Sequence, residues 1–289
     1  MAQILNFGSI NVDHVYQVPH FVQPAETLAA TDYAKGLGGK GFNQSVALHR
    51  AGVEVLHVGN IGRDDTWTQA QISATGLSLN GIGATDAATG HALIQVNAQA
   101  ENCILLCAGA NAQLTQTQLS QHLAQDAAQW VLLQNETNLI ADIIEQSHAA
   151  GKHVVFNPAP CHAGMADLPL ELLHTVVVNE VEAAQLTGMH DVEQALVALQ
   201  RRVKNVVLTM GGQGARYLGE SGAFFVPANP VQAVDTTAAG DTFIGFYLSV
   251  IIQGGSVESA LTCATQAAGI AVTRMGATAS IPFIHELAQ

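Results

Sequence analysis

Apolar residues fall along this chain in three rhythms. The first, a continuous run, opens in "ILNFGS" (Ile4 to Ser9) and predicts a strand buried on both faces. The second is alternation. "VDHVYQV" (Val12 to Val18) and "ETLAATDYA" (Glu26 to Ala34) interleave apolar and polar residues, as exposed antiparallel strands do. "GHALIQVN" and "NCILLCAG", joined by the polar "AQAE", read as a hairpin of the same kind. The third rhythm is helical, first in "GFNQSVALHRAG" from Lys40 onward, which stops at Gly52. A strand, "VEVLHVGNIG", and a helix, "DDTWTQAQISATG", follow it.

Beyond Leu114 strands and helices alternate regularly. "WVLLQN", "HVVFNPAP", "TVVVNE" and "NVVLTMGGQG" are short strands, with helical stretches such as "TNLIADIIEQSHAAG" and "DVEQALVALQRRV" between them. This order predicts a doubly wound α/β fold, Rossmann-like, with a mainly parallel sheet covered by helices on both faces. The early alternating strands stand outside that rhythm and predict a separate small β-sheet flap. No linker divides the chain, so residues 1–289 are expected to form one domain.

Composition narrows the function. The chain of 289 residues is 48% hydrophobic and 11% charged, which suits a large core and not disorder. Its net charge of −13 comes with ten Lys and Arg and no basic cluster, so a nucleic-acid partner is not expected. The longest apolar run, "FIGFYLSVII", has ten residues, about half of a membrane span. A membrane partner is not expected either, and "MAQILNFGSINVD" lacks the features of a signal peptide. Cys103 and Cys107 lie in one strand-like run, roughly 13 Å apart if extended, and a disulfide needs Cα atoms within about 7 Å. With Cys161 and Cys263 they read as reduced thiols of a cytoplasmic protein. The twelve histidines show no metal-ligand spacing.

Ligands of open parallel sheets bind beyond the carboxyl ends of the strands, and polar or glycine residues recur there. Asn157 follows one strand, Asn179 another, and Thr209, Gly211 and Gly214 a third. Before the long apolar helix stands "VDTTAAGDTFIGF" (Val234 to Phe246). Ala238, Ala239 and Gly240 would let an anion reach the unpaired N–H groups of a helix start. Asp241 is a poor neighbour for a phosphate unless it accepts a proton from whatever attacks it, which points to phosphoryl transfer onto a hydroxyl. A plain N-capped core helix also fits this stretch. "KGLGGKGFNQ" (Lys35 to Gln44) formally matches GxGxxG but lacks the strand before it and the acidic ribose anchor, and it is no Walker A loop. It reads either as a flexible loop or as one that holds Lys40 and Asn43 near a polyol. In "GSINVDHV", Asn11 and Asp13 point to one face of an extended segment. They suit vicinal hydroxyls, or merely face solvent.

Taken in order, "GSINVDH", "GGKGFNQ", "AGAN", "NPAP", "NEVEAAQLTG", "TMGGQG", "VDTTAAGDTF" and "AVTRMGATASIP" resemble the ribokinase-like (pfkB-type) carbohydrate kinase family over essentially the whole chain. The resemblance implies ATP-dependent transfer of the γ-phosphate to the primary hydroxyl of a sugar. D-ribose, giving ribose 5-phosphate, is the first expectation. Fructose, deoxyribose, adenosine or pseudouridine is the alternative. It further implies Asp241 as the base, and the backbone of Ala239, Gly240 and Asp241 as the anion hole. Asn11, Asp13, Gly39, Lys40, Asn43 and Glu136 would hold the sugar, and Asn179, Thr209, Gly211 and Gly214 the nucleotide. Glu182 would organise Mg²⁺ through water, and Asp235, Thr237, Ala271, Arg274, Gly276 and Ser280 would hold K⁺.

The same resemblance turns the flap, approximately residues 10–37 and 89–108, into a lid over the sugar and a contact in a homodimer. This chain departs from the family pattern at Ala238, where glycine is commoner, and at Thr265, where Asn or His often meets adenine. Phe42 either narrows the sugar pocket or packs. A silent sugar- or nucleotide-binding regulator and a dinucleotide-dependent oxidoreductase are the readings from other classes.

Overall fold

The structure, a computed structural model, describes residues 3–99, 101–125 and 127–287. Met1 and Ala2 of the N-terminal stretch and Ala100 of the hairpin connection lie outside them. The first part of the chain forms β1 (Ile4–Phe7), β2 (Asn11–Gln17), β3 (Asp32–Gly38), α1 (Lys40–Arg50), β4 (Val55–Gly62), α2 (Thr66–Ala74), β5 (Ile82–Thr85), β6 (Gly90–Val96) and β7 (Asn102–Cys107). The alternating part forms α3 (Gln116–Leu123), β8 (Trp130–Gln134), α4 (Ile140–Ala149), β9 (His153–Asn157), β10 (Thr175–Asn179), α5 (Glu180–Thr187), α6 (Val192–Gln200) and β11 (Asn205–Thr209). The hairpin of β12 (Ala215–Gly219) and β13 (Gly222–Val226) and the helices α7 (Ala239–Ile252) and α8 (Val257–Ala271) complete it.

Nine strands make the main sheet, in the order β13-β12-β11-β10-β9-β8-β1-β4-β5. The run β11-β10-β9-β8-β1-β4-β5 pairs in parallel, and β12 and β13 are antiparallel additions at one edge. The continuous apolar strands are buried on both faces, as their composition requires. Leu132, Val155, Val177 and Val207 face the layer of α1, α7 and α8. Their neighbours Leu133, Phe156, Val178 and Leu208 face the layer of α3 to α6. Because β1 sits between β4 and β8, the direction of winding reverses there, and a crevice opens at the carboxyl ends of these strands.

The small sheet is separate, in the order β3-β2-β6-β7, with β2 parallel to β6 and the other pairs antiparallel. Two sequence expectations are corrected by these strands. The second exposed strand starts at Asp32, and the stretch from Glu26 to Thr31 is irregular. "KGLGGKG" is no flexible loop: Lys35 to Gly38 extend β3, Gly39 turns the corner at φ 91, and Lys40 begins α1. That turn suits glycine alone among the residues there. Phe42 is fully buried and meets the His57 ring edge-on, so it packs and does not narrow a pocket. Among the described residues no helix is long and apolar enough to cross a membrane.

The apolar run of α7 is buried from Asp241 to Ser249 because α1 and α8 both lie against it. Gly245 permits this crossing: a Cβ there would stand 2.3 Å from Ala47 Cβ and 2.8 Å from Leu48 N. Helix propensity alone would make Gly245→Ala stabilising by about 1 kcal/mol. The packing predicts the opposite sign, a loss of about 2 kcal/mol, measurable by urea unfolding.

Candidate active site

Two helices begin at the same crevice, and their starts are treated differently. At the start of α1 the Lys40 N–H donates to Glu136 Oε2 at 2.9 Å, and the same oxygen accepts from Ser9 Oγ at 2.5 Å. Glu136 thus occupies the positive end of α1. The start of α7 has no side-chain cap. Ala238 takes the left-handed conformation (φ 60, ψ 10) that swings the chain into the helix. Ala239 N–H turns back to Thr236 O at 3.3 Å. The N–H groups of Gly240 and Asp241, in the first turn, have no acceptor inside the helix.

The one acid of that turn, Asp241, looks sideways to α1. Its Oδ2 accepts from Asn43 Nδ2 at 3.0 Å and its Oδ1 from Gln44 Nε2 at 2.9 Å. It is 7% exposed and still lines a cavity of 490 Å³. Its other walls carry Asn11, Asp13, Gly39, Lys40, Asn43 and Glu136 on one side and Asn179, Glu182 and Thr209 on the other. Ala92, Ile94, Ile104 and Leu106 reach it from the small sheet. A second, more apolar cavity of 440 Å³ contains Gly211, Gly214, Phe243 and Thr265. The two cavities share Thr209, Thr236, Ala239 and Gly240, so they meet at the start of α7. A Cβ on Gly240 would meet no atom within 4 Å, so the backbone there borders open space.

Charge in the polar cavity is unbalanced toward acid. Burial, with the Glu136 charge adding to it, pushes the Asp13 carboxyl up to about 6. Burial also raises Glu136 and Glu182, although the N–H groups of Lys40 and Asn179 respectively favour their ionised forms. Burial works against the Lys40 ammonium, yet the carboxylates of Asp241, Glu136 and Glu182 outweigh it and raise its pKa. A cavity of this kind favours hydroxyl donors near Asp13 and Glu136 and a cation or ammonium near Glu182.

Asn179 and Glu182 cap α5 reciprocally, through Glu182 N to Asn179 Oδ1 at 2.8 Å and Asn179 N to Glu182 Oε2 at 2.9 Å. Asp235, Ala271, Arg274, Gly276 and Ser280 line neither cavity. Asp235 fastens two loops behind α7, accepting from Thr237 N and Oγ1 at 2.9 and 2.6 Å and from Gly276 N at 2.9 Å. Burial opposes its charge, but these three donors hold its carboxyl below the usual range. The Arg274 side chain turns away to Glu286, and Ser280 Oγ donates to Ala277 O. Of these six expected residues, Asp235, Thr237 and Gly276 are joined by hydrogen bonds, and the side chains of Arg274 and Ser280 are engaged elsewhere.

Three polar residues of the site carry no role that their sequence motifs assign. Asn111 accepts from Ile10 N and donates to Asn11 Oδ1 at 2.7 Å, which leaves the Asn11 NH₂ for the cavity. Its motif "AGAN" is visible in the sequence, but its partner lies 100 positions away. Gln44 and Asn157 meet behind Asp241 at 3.2 Å. Adjacent positions on a helix do not face the same way, so nothing in the sequence pairs Gln44 with Asn43.

Two cavities that join at one uncapped helix start suit a transferase that brings two small substrates end to end. Relatedness agrees with that class. Residues 1–284 match the pfkB family carbohydrate kinases, and the chain belongs to that family. It is 36% identical to the ribokinase of Haemophilus influenzae over 96% of this chain and 95% of that one. With the ribokinase of Staphylococcus aureus it shares 33% identity over 99% of both chains. Among solved structures, Arabidopsis thaliana ribokinase complexed with ribose and ATP superposes with a TM-score of 0.86 at 26% identity, covering 99% of this chain and 98% of the other.

The raised Asp13 carboxyl gives a stability test. A folded-state value above the ordinary 3.8 means that the native state holds this proton longer than the unfolded chain. The contribution is fully favourable below the unfolded value and is lost as pH rises through about 6. Asp13→Asn, which cannot ionise, should therefore be more stable than the parent at pH 8 by about 3 kcal/mol. Thermal melts should show that gain shrinking to nothing toward pH 4.

Proposed function

We propose that this protein is an ATP-dependent sugar kinase that transfers the γ-phosphate to the primary hydroxyl of D-ribose, forming ribose 5-phosphate. The observation that carries it is Asp241, a carboxylate in the polar cavity at the uncapped start of α7, where the second cavity joins. The ribokinases of Haemophilus influenzae and Staphylococcus aureus support ribose as the acceptor.

In this reading the sugar lies among Asn11, Asp13, Gly39, Lys40, Asn43 and Glu136, and ATP enters past Asn179, Thr209, Gly211 and Gly214. Asp241 takes the proton of the primary hydroxyl as its oxygen bonds to the γ-phosphorus and the bond to the ADP oxygen breaks. Negative charge on the moving phosphoryl group meets the first-turn N–H groups of Gly240 and Asp241, with Ala239 beside them. Donors fixed in advance are worth far more here than in water. Lys40 offsets the surrounding carboxylates and adds positive charge where the two substrates meet. The small sheet, residues 10–37 and 89–108, acts as a lid of the single domain, and Ala92, Ile94, Ile104 and Leu106 keep water from the hydroxyl's place.

Mg²⁺ fits the donor set as a hydrated ion, because the half-buried Glu182 offers a carboxylate on the cavity wall that carries Asn179 and Thr209. Such an ion supplies charge neutralisation on the phosphates. K⁺ fits the oxygens of the Asp235 carboxylate, of Thr237 and of the backbone carbonyls of Ala271, Arg274, Gly276 and Ser280. Asp235 accepts three protein donors and keeps one further lone-pair site. Such an ion would place a fixed positive charge behind the anion site.

Every residue of β7 is exposed, with Ile104, Leu105 and Leu106 among them, which favours a homodimer through the lid. Four unbridged cysteines suit a cytoplasmic setting.

A panel of D-ribose, deoxyribose, fructose, adenosine and pseudouridine, each with ATP and with or without K⁺, tests the acceptor through ADP release. Ribose should show the highest kcat/KM, and K⁺ should raise turnover. A tenfold higher kcat/KM for another acceptor would overturn ribose. Asp241→Asn should cut kcat by about 10²- to 10⁴-fold while ribose still binds. Undiminished turnover in that variant would remove Asp241 as the base and end this kinase mechanism.

A further inference from the structure

Gln44 reaches Asp241 from α1, and either end of its amide could face the carboxylate. Two backbone carbonyls, which can only accept, decide between them. The first is Gly41 O. It takes Asn6 Nδ2 at 2.7 Å, so Asn6 presents Oδ1 to Gln134 Nε2 at 3.0 Å. Gln134 therefore donates, and its second N–H goes to Gln44 Oε1 at 2.7 Å. The second carbonyl is Val177 O. It takes Asn157 Nδ2 at 3.0 Å, which leaves Asn157 Oδ1 to accept from Gln44 Nε2 at 3.2 Å. Both routes impose the same orientation, with the Gln44 NH₂ toward Asp241.

The relay has a visible cost. Gln134 Oε1 is buried with no hydrogen-bond partner, a state that ordinarily costs stability. Turning that amide over would require N–H groups from Asn6 and Gln44, and the two carbonyls have already claimed the direction of both. The far end is closed as well. Asn6 Nδ2 also reaches Ser45 Oγ at 2.8 Å, Ser45 Oγ meets His57 Nδ1 at 2.8 Å, and His57 Nε2 lies 3.1 Å from Gly8 O. Since Gly8 O only accepts, Nε2 carries the proton and Nδ1 accepts from Ser45. Burial holds His57 down at about 4, so this direction persists through the neutral range.

We propose that Gln44 is a positioning residue: a core relay anchored on the carbonyls of Gly41 and Val177 locks its amide as a donor to Asp241 and so aims that carboxylate as an acceptor. The proposal rests on the reading of Asp241 as the base. Asn43 donates to the other oxygen, so each oxygen has one N–H partner and keeps lone-pair capacity for a substrate hydroxyl. The charged groups facing Asp241 are Lys40 from α1, Glu136 beyond β8 and Glu182 from α5.

The test uses the full-length enzyme with ribose and ATP, following kcat from pH 5 to 9 in the parent, Gln44→Met, Gln44→Glu and Asp241→Asn. Without the donor, the acidic limb of Gln44→Met should move up by about one pH unit. Down that limb its kcat should fall by up to about tenfold and recover toward the parent's at pH 9, with the KM for ATP unchanged. Gln44→Glu preserves shape should the methionine variant not fold. Its carboxyl shares a proton with Asp241 and should raise the limb by more than about one unit. Limbs within about 0.3 unit of the parent's in the folded variants overturn the proposal, provided Asp241→Asn is inactive. Full activity in Asp241→Asn would instead remove the base assignment itself.

Discussion

The close crossing of α1 and α7 is the constraint on which the site depends. Asn43 and Gln44 carry short amide side chains, yet they reach a carboxylate on a helix about 200 positions later in the chain. They reach it because one turn further on Gly245 brings the backbone of α7 against Ala47 and Leu48. The other side of α1 is held as tightly. Gly41 lies on the strand end after β1, where an added Cβ would stand 2.4 Å from both Gly8 Cα and Ser9 N. The first helix is thus wedged between the middle of the sheet and the long buried helix. The polar relay beneath it is buried with every amide direction fixed.

That wedge also sorts the charges. Both helices point positive ends at one crevice, and a protein carboxylate, Glu136, occupies only the start of α1. The acid at the start of α7 is drawn aside by α1 and leaves its first-turn N–H groups to the cavity. Lys40 then sits among Asp241, Glu136 and Glu182, where its charge is favoured in spite of burial. Buried charges without partners are expensive. Asp13, raised to about 6, holds part of that cost in the free protein, and a ligand's hydroxyl groups would relieve it.

Much of the fold was legible because strand and helix periodicities are local. The four continuous strands from Trp130 to Thr209 carried their own signal, and so did the buried run of α7. Short or irregular pieces did not. The β12–β13 hairpin and β5, only four residues long, owe their conformation to the sheet edges they join. "KGLGGKG" resembles a loop by composition, and its first four residues become strand because β2 pairs with them.

The sequence by itself determined the parallel core, the separate small sheet, and the presence of a small-residue helix start beside an acid, since each follows from neighbours within one or two turns of chain. Its ordered motifs also carried the family resemblance. Only the tertiary structure decided what that acid touches, which helix start stays open, and which way Gln44 turns. Those outcomes depend on backbone carbonyls and glycine contacts contributed by segments far apart in the chain. Hydrogen-bond direction is a property of the assembled network, and no stretch of residues specifies it alone.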